Sequence, residues 1–110
     1  MNAQEKIYGE VNYVQFGAGR TSGVLKMNIV KARLDRDVEM FGKMDPYVLV
    51  ESKGKQMLKT SVAEDAGKTP EWDETYRLEI DDTKNILEIK ICDEQPMFDR
   101  GIGSTSISVD

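Results

Sequence analysis

Residues 23–34 read GVLKMNIVKARL, and apolar and polar side chains alternate there from Leu25 to Ile29. The same two-residue period returns in YRLEI at 76–80 and in ILEIKI at 86–91. A period of two is typical of a β-strand that buries one face and exposes the other. These three stretches therefore predict half-buried strands, and they set the class of the fold.

Weaker strand patterns surround these three stretches. They are EVNYVQF at 10–16, YVLVES at 47–52, QMLKTSV at 56–62 and STSISV at 104–109. Turn signals such as GAGRTSG, ESKGK and DAGKTPE separate the patterns, and no stretch sustains the 3.6-residue period of a helix. Seven such patterns along 110 residues predict an all-β fold, an antiparallel β-sandwich of seven to eight strands.

The composition is typical of one ordinary globular domain. Of the 110 residues, 39% are hydrophobic and 32% are charged, which favours a folded core over disorder or a membrane span. Fifteen basic residues against twenty acidic ones give a net charge of −5. A general nucleic-acid-binding protein needs a basic face for the phosphates, so the composition argues against a nucleic-acid partner.

Two side chains that carry much enzyme chemistry are scarce. The chain has no histidine, which excludes His-assisted nucleophiles, His general bases and zinc sites that contain histidine. Its one cysteine, Cys92, ends an apolar strand pattern with no basic residue directly beside it, so we interpret it as a packed thiol. A single cysteine allows no internal disulfide, which fits the reducing cytosol. We expect a protein without enzymatic activity.

Acidic residues flank strands at separated places in the chain. Pro46 restricts Asp45 to an extended conformation where one strand begins. The strand ILEIKI ends in Asp93 and Glu94, and Asp99 follows. If these strand ends are neighbours, like charges meet there at a cost that an intervening cation would relieve. The alternative is that they are solvated loop acids.

The order of these motifs resembles that of a known family. The segments GVLKMNIVKARL, GKMDPYVLV, KTPEWDETYRLEI, ILEIKICDE and DRGIG together resemble a C2 domain, the calcium- and phospholipid-binding β-sandwich of the protein kinase C conserved region 2 type. The resemblance is strongest over residues 23–109. It implies one C2-like Greek-key domain over 1–110, in which residues 1–20 add an N-terminal strand and a hairpin loop.

The resemblance implies a partial calcium site in two acidic loops. Gln95 and Arg100 stand where the family has aspartates. Calcium takes six to eight oxygen ligands, and its affinity follows the number of carboxylates. We therefore expect one weak Ca2+ site or none. The candidate ligands are Asp37, Glu39, Asp45, Asp93 and Asp99.

The same loops carry two apolar pairs, Met40-Phe41 and Met97-Phe98. Related domains insert such residues into bilayers from the tips of their loops, so the resemblance implies that these pairs bind lipid. The alternative is that both pairs fold back and cover the top of the sandwich. A fully buried Met or Phe contributes about 1.5–3 kcal/mol, so insertion by itself would hold the domain on a membrane only weakly.

Three lysines, Lys53, Lys55 and Lys59, lie on and after the SKGK turn. In some C2 domains this hairpin forms a basic groove for phosphoinositide headgroups, so the resemblance implies a second lipid contact. Near an anionic leaflet each lysine would contribute about 1 kcal/mol. The alternative is a solvated hairpin whose lysines prevent unwanted pairing at a sheet edge.

These observations predict a non-enzymatic membrane-targeting module that binds anionic phospholipids with weak or partly degenerate calcium dependence. Such a module would be cytoplasmic and peripherally associated with membranes. The alternative is a calcium-independent protein–protein interaction domain within a larger assembly. The C2 sandwich usually has eight strands and this chain has patterns for seven, so we expect a longer protein or a partner chain to complete the sheet.

Overall fold

Seven β-strands make up the fold in the computed structural model, which describes residues 6–15, 23–39, 42–81 and 85–109. Within these ranges no helix is long and apolar enough to cross a membrane. The prediction of an all-β fold is confirmed, while the hairpin loop expected before residue 20 lies outside the described residues. The strands are β1 (Lys6–Gln15), β2 (Gly23–Arg33), β3 (Pro46–Ser52), β4 (Lys55–Lys59), β5 (Glu71–Ile80), β6 (Ile86–Asp93) and β7 (Arg100–Ser108).

The strands form two antiparallel sheets that pack face to face. Sheet A has three strands in the order β1-β2-β5, and sheet B has four in the order β4-β3-β6-β7. The alternating apolar residues of both sheets point into one core, as the two-residue period predicts. Its fully buried members include Leu25 of sheet A and Val48, Leu87, Ile91 and Ile102 of sheet B.

The strand directions give the sandwich two distinct ends. Strands β2, β4 and β6 run toward one end, and the strands that follow them in the chain begin there. We call this end the tip; its loops are 34–45, 60–70 and 94–99. The opposite end carries the two-residue turn between β3 and β4. There Lys53 and Gly54 have φ values of 52° and 78°, the left-handed conformation that a tight hairpin turn requires.

Two strands begin earlier than their alternation predicts. β5 begins at Glu71 instead of near Tyr76, because an extra residue relative to β2 forms a bulge that includes Asp73, with φ of 50°. Asn28 holds this bulge, since its side-chain amide donates to Thr75 Oγ1 at 3.0 Å. β7 begins at Arg100, inside the predicted turn, because the glycines of DRGIG pair with the end of β6.

The β1–β2 pair contains a glycine with no room for a side chain. A bulge lies between Tyr8 and Gly9, and a Cβ atom at Gly9 would come within 2.0 Å of the Asn28 carbonyl oxygen. We expect Gly9→Ala to lower the free energy of unfolding by about 1–3 kcal/mol, as measured by urea titration. Gly101→Ala is the control, because a Cβ there meets nothing within 4 Å. Equal losses in the two variants would contradict this account.

The sandwich is open along one side, because three strands face four. Among the described residues, none pairs with the outer edge of β1. An apolar cleft lies there between the sheets, lined by Ile7 and Val11 of β1 and by Ile89 and Thr105 of sheet B. Val11 remains 50% exposed. The described part of the chain thus has the seven strands of the prediction and a gap where an eighth strand would fit.

Candidate functional site

Two carboxylates join the strand ends at the tip. Pro46 of β3 pairs with Asp93 of β6, so Asp45 and Asp93 are brought together from opposite halves of the chain. The Asp45 backbone N–H donates to Asp93 Oδ1 at 2.7 Å, and the Glu94 N–H donates to the Asp45 carbonyl at 3.1 Å. The side chain of Asp93 is completely buried. These contacts make the centre of the tip a constructed part of the fold.

Gln95 occupies the middle of the acidic group. Its side-chain amide Nε2 donates to Asp93 Oδ2 at 3.0 Å and approaches Glu39 Oε2 at 3.5 Å. Its backbone N–H donates to Asp99 Oδ1 at 3.3 Å. A neutral N–H donor therefore stands among three carboxylates and offsets part of their repulsion. The sequence analysis treated Gln95 only as a missing acid and did not predict this role.

Asp99 is tied to the body of the sandwich by a tyrosine. The hydroxyl of Tyr47, the second residue of β3, donates to Asp99 Oδ2. Burial raises the pKa of this phenol, and the bond to Asp99 raises it further. The Lys59 Nζ lies 4.5 Å from the centroid of the Tyr47 ring, within the range of a cation–π contact. The ring therefore connects one predicted metal ligand to one predicted lipid-binding lysine.

The remaining predicted ligands are engaged in local hydrogen bonds. Asp37 Oδ1 accepts from the Glu39 N–H at 3.0 Å, in a turn on the exposed side of the loop. Asp45 Oδ1 accepts from the Asp65 N–H at 2.7 Å. Arg100, exposed, begins β7 opposite Asp93. Four of the five candidates thus converge, and Asp37 lies apart from them.

The donor set fits a calcium ion poorly in this arrangement. Among the described residues, no group of three or more Asp, Glu or Cys side chains is placed to hold a metal ion. The physical reason is that oxygens of Asp45, Asp93 and Asp99 accept hydrogen bonds from N–H and O–H groups. Calcium needs six to eight free oxygens at short distances, so binding would have to displace these donors.

One of the two apolar pairs stands out from the tip. Met97 is 89% exposed and Phe98 is 68% exposed, so this pair does not fold back over the sandwich. Pro96 beside them lines a cleft with the acidic residues Asp45 and Asp99. The other pair, Met40-Phe41, lies outside the described residues. The tip therefore presents an apolar projection next to an acidic cleft.

The three predicted lipid-binding lysines are spread along the sandwich. Lys53 and Lys55 lie at the hairpin turn, at the end opposite the tip. β3 spans seven residues between the two ends, which corresponds to about 20 Å. Lys59 lies opposite Leu49, midway along β3. The fold therefore brings Lys59 toward the tip and leaves the other two lysines far from it.

A structural carboxylate that the sequence analysis did not predict joins the two sheets. Glu74 of β5 faces inward and accepts hydrogen bonds from the Ser61 N–H at 3.1 Å and the Tyr76 hydroxyl at 2.5 Å. The Ser61 hydroxyl donates to it as well. Burial acts to raise the pKa of Glu74, but the bonds from Ser61 and Tyr76 outweigh it and lower that pKa. The inward side of β5's period-two pattern was the only available signal for this role.

The same contact makes stability depend on alkaline pH. Burial and the bond to Glu74 raise the pKa of Tyr76 to about 12, above the value near 10 of an unfolded tyrosine. The folded state therefore favours the protonated phenol, and this contribution is complete below pH 10 and lost between about pH 10 and pH 12. We expect urea titrations to show a steeper loss across that window for the native protein than for Tyr76→Phe. Identical pH profiles would contradict the role assigned to Tyr76.

Cys92 lies half-buried beside this network, on β6. Burial raises the pKa of its thiol, and a hydrogen bond with Tyr47 lowers it by less. The thiol thus stays protonated near neutral pH, as expected for a packing residue.

Comparisons with known proteins agree with the geometry. The C2 domain family matches residues 23–110. The chain is 32% identical to the 16 kDa phloem protein 2 of Arabidopsis thaliana over 87 residues, covering 79% of this chain and 54% of that protein. It is 40% identical over 65 residues to elicitor-responsive protein 1 of Oryza sativa subsp. japonica, covering 56% and 40% of the two chains.

A solved structure shows the same relationship. The two calcium-bound C2 domains of Extended-Synaptotagmin 2 superpose with a TM-score of 0.67 at 26% identity, covering 78% of this chain and 34% of that one. The chain spans about half the length of the curated relatives it matches.

Proposed function

Because this chain belongs to the C2 domain family, we propose that it is a non-enzymatic membrane-targeting module. It binds anionic phospholipids through its tip and associates peripherally with the membrane surface. The C2 family in general mediates membrane or protein interactions. The single observation that carries the membrane reading is the exposure of Met97 and Phe98 at the end of the sandwich.

The energetics require more than this apolar pair. Full burial of a Met or Phe side chain contributes about 1.5–3 kcal/mol, so Met97 and Phe98 together supply roughly 3–6 kcal/mol. A dissociation constant of about 1 mM corresponds to about 4 kcal/mol, so insertion alone gives binding near the millimolar range. The acidic residues beside the pair oppose an anionic leaflet. Cationic side chains must therefore add to the affinity, each by about 1 kcal/mol near the surface.

Calcium has a weak role in this proposal. The tip carboxylates are neutralised in part by the Gln95 amide and by backbone N–H groups, which a cation would have to replace. A full site of carboxylates would make binding calcium-dependent, whereas this hydrogen-bonded tip leaves a small calcium increment.

Vesicle co-sedimentation in chelator and in millimolar calcium tests the proposal. Phosphatidylcholine vesicles with and without phosphatidylserine provide the anionic and neutral surfaces. We expect sedimentation with the anionic vesicles, with a small increase in calcium and a decrease as the salt concentration rises. Absence of sedimentation with anionic vesicles in both conditions would overturn the proposal.

The open side of the sandwich supports a second candidate, a calcium-independent protein interaction domain. The outer edge of β1 offers unpaired backbone groups beside the apolar cleft of Ile7, Val11 and Ile89. Sheet B extends one strand further than sheet A at this side. A continuous sheet formed with β1 of a second copy would bring the two β7 strands into collision. The gap therefore suits a single extended segment with apolar side chains at alternate positions.

A designed peptide of that pattern separates the two candidates. Amide shifts along β1 and β7 on titration, without vesicle binding, would favour the protein interaction domain. A peptide that causes no shifts there would remove the second candidate.

A further inference from the structure

Basic side chains surround an exposed tyrosine on the outer face of sheet A. The β1–β2 register places Lys6 beside Arg33 and Tyr8 beside Lys31. Tyr8 is 41% exposed, and the Lys31 Nζ lies 5.6 Å from the centroid of its ring. All three cations are exposed, while the intervening Ala32 faces the core. Within the described ranges, none of the three takes part in an ion pair.

These side chains form one wall of a cleft. The Ala32 N–H donates to the Pro70 carbonyl at 3.0 Å, which brings the segment before β5 alongside the end of β2. The cleft is lined by Tyr8, Lys31 and Arg33 on one side and by Thr69 and Glu71 on the other. With Lys6 next to Arg33, three cations and one carboxylate give the group a net charge of +2, in a chain whose net charge is −5.

We propose that this cleft binds a phosphate-bearing anion. The guanidinium of Arg33 can donate two hydrogen bonds to a phosphate, and the two ammonium groups add charge on the same face. The Thr69 hydroxyl supplies a neutral donor, and the Tyr8 ring is a flat apolar floor for the ring of a cyclic polyol. This chemistry is shared by a phosphoinositide headgroup and a free inositol phosphate.

The position of the cleft matches the geometry of membrane contact. β1 begins and β2 ends at the tip, so Lys6 and Arg33 lie at the same end as Met97 and Phe98. β1 also lies across the sandwich from β6 and β7, the strands that flank the apolar loop. A headgroup held in the cleft would therefore meet the leaflet that receives the loop. This step rests on the proposed membrane function; binding of a soluble anion does not.

Titration with soluble inositol trisphosphate, followed by amide chemical shifts, tests the site without a membrane. We expect shifts concentrated at Tyr8, Lys31, Arg33 and Thr69. The triple variant Lys6→Gln, Lys31→Gln, Arg33→Gln should weaken binding at least about tenfold, from about fivefold for each charge. The matched triple Lys53→Gln, Lys55→Gln, Lys59→Gln removes the same charge elsewhere and should bind like the native protein.

Glu71→Gln gives a test that loss of folding cannot imitate. Glu71 is the one carboxylate among the residues that line the cleft, so its neutralisation should tighten binding severalfold. The proposal is overturned if the shifts map to the SKGK hairpin, if the two triple variants weaken binding equally, or if Glu71→Gln leaves the affinity unchanged.

Vesicles distinguish the two sources of the anion. Stronger sedimentation with phosphatidylinositol bisphosphate than with phosphatidylserine, lost in the sheet A triple variant, identifies a lipid headgroup as the ligand. Binding of soluble inositol trisphosphate without any vesicle binding also supports the cleft and identifies a free anion. In that case the proposed membrane function fails while the anion site stands.

Discussion

Gln95→Asp is expected to convert the weak calcium response of the tip into a strong one. The substitution removes the Nε2 donor that bonds Asp93 and approaches Glu39, and it adds a carboxylate in their midst. In chelator, the lost bond and the added repulsion should lower the free energy of unfolding by about 1–3 kcal/mol. In calcium, the new oxygens can join those of Asp93 and Asp45 around one ion.

The expected size of the calcium effect is large. A ligand at about a hundredfold excess over its dissociation constant stabilises the folded state by about 2.7 kcal/mol. For a domain of this length, each 1 kcal/mol shifts the melting temperature by about 4–8 °C. We therefore expect calcium to raise the melting temperature of Gln95→Asp by roughly 10–20 °C, and that of the native protein by far less.

Thermal melting in chelator and in millimolar calcium measures this effect. Gln56→Asp, on exposed β4, is the matched control, since it makes the same charge change away from the tip and should not respond to calcium. Adding Asp93→Asn to Gln95→Asp should abolish the response by removing a central ligand. A Gln95→Asp protein whose melting ignores calcium would show that the tip carboxylates cannot converge on a metal.

Replacing Met97 and Phe98 by aspartate should remove most vesicle binding without unfolding the domain. The pair is 89% and 68% exposed, so its loss leaves the core intact and the melting temperature should change by no more than about 2 °C. Removal of two inserted apolar side chains, each contributing up to about 1.5–3 kcal/mol, should reduce partitioning onto anionic vesicles at least about tenfold.

Ile86→Asp is the matched control for this experiment. Ile86 is 59% exposed and begins β6 at the end opposite the tip, so the same type of substitution there should leave vesicle binding unchanged. If Ile86→Asp weakens binding as much as the tip variant, added negative charge and not insertion explains the loss. If the tip variant unfolds, the pair contributes to packing and the assigned role is wrong.

Local patterns were sufficient for most of the fold. The alternation from Leu25 to Ile29 and along ILEIKI predicted two-faced strands, and these strands bury the predicted residues. The SKGK turn was predicted because glycine tolerates the positive φ that a two-residue hairpin needs. These features depend on residues close in the chain, which is why one sequence reveals them.

The candidate site was predictable only in part. The approach of Asp45 to Asp93 required that two strands distant in the chain be neighbours, a condition that the β3–β6 pairing meets. The resemblance to C2 domains supplied that expectation. The acceptor role of Glu74 and the donor role of Gln95 depend on which groups face them across the sandwich. No local pattern carries that information.

What the sequence by itself determined is the type of each element: period-two strands, turn residues, a chain without histidine, and acids next to strand ends. Only the tertiary structure decided how the charges are grouped. It placed Lys53 and Lys55 far from the tip, gathered Lys6, Lys31 and Arg33 beside Tyr8, and set an amide among the tip carboxylates. The physical reason is that strand order and register join residues dozens of positions apart, and electrostatic interactions follow distance in space.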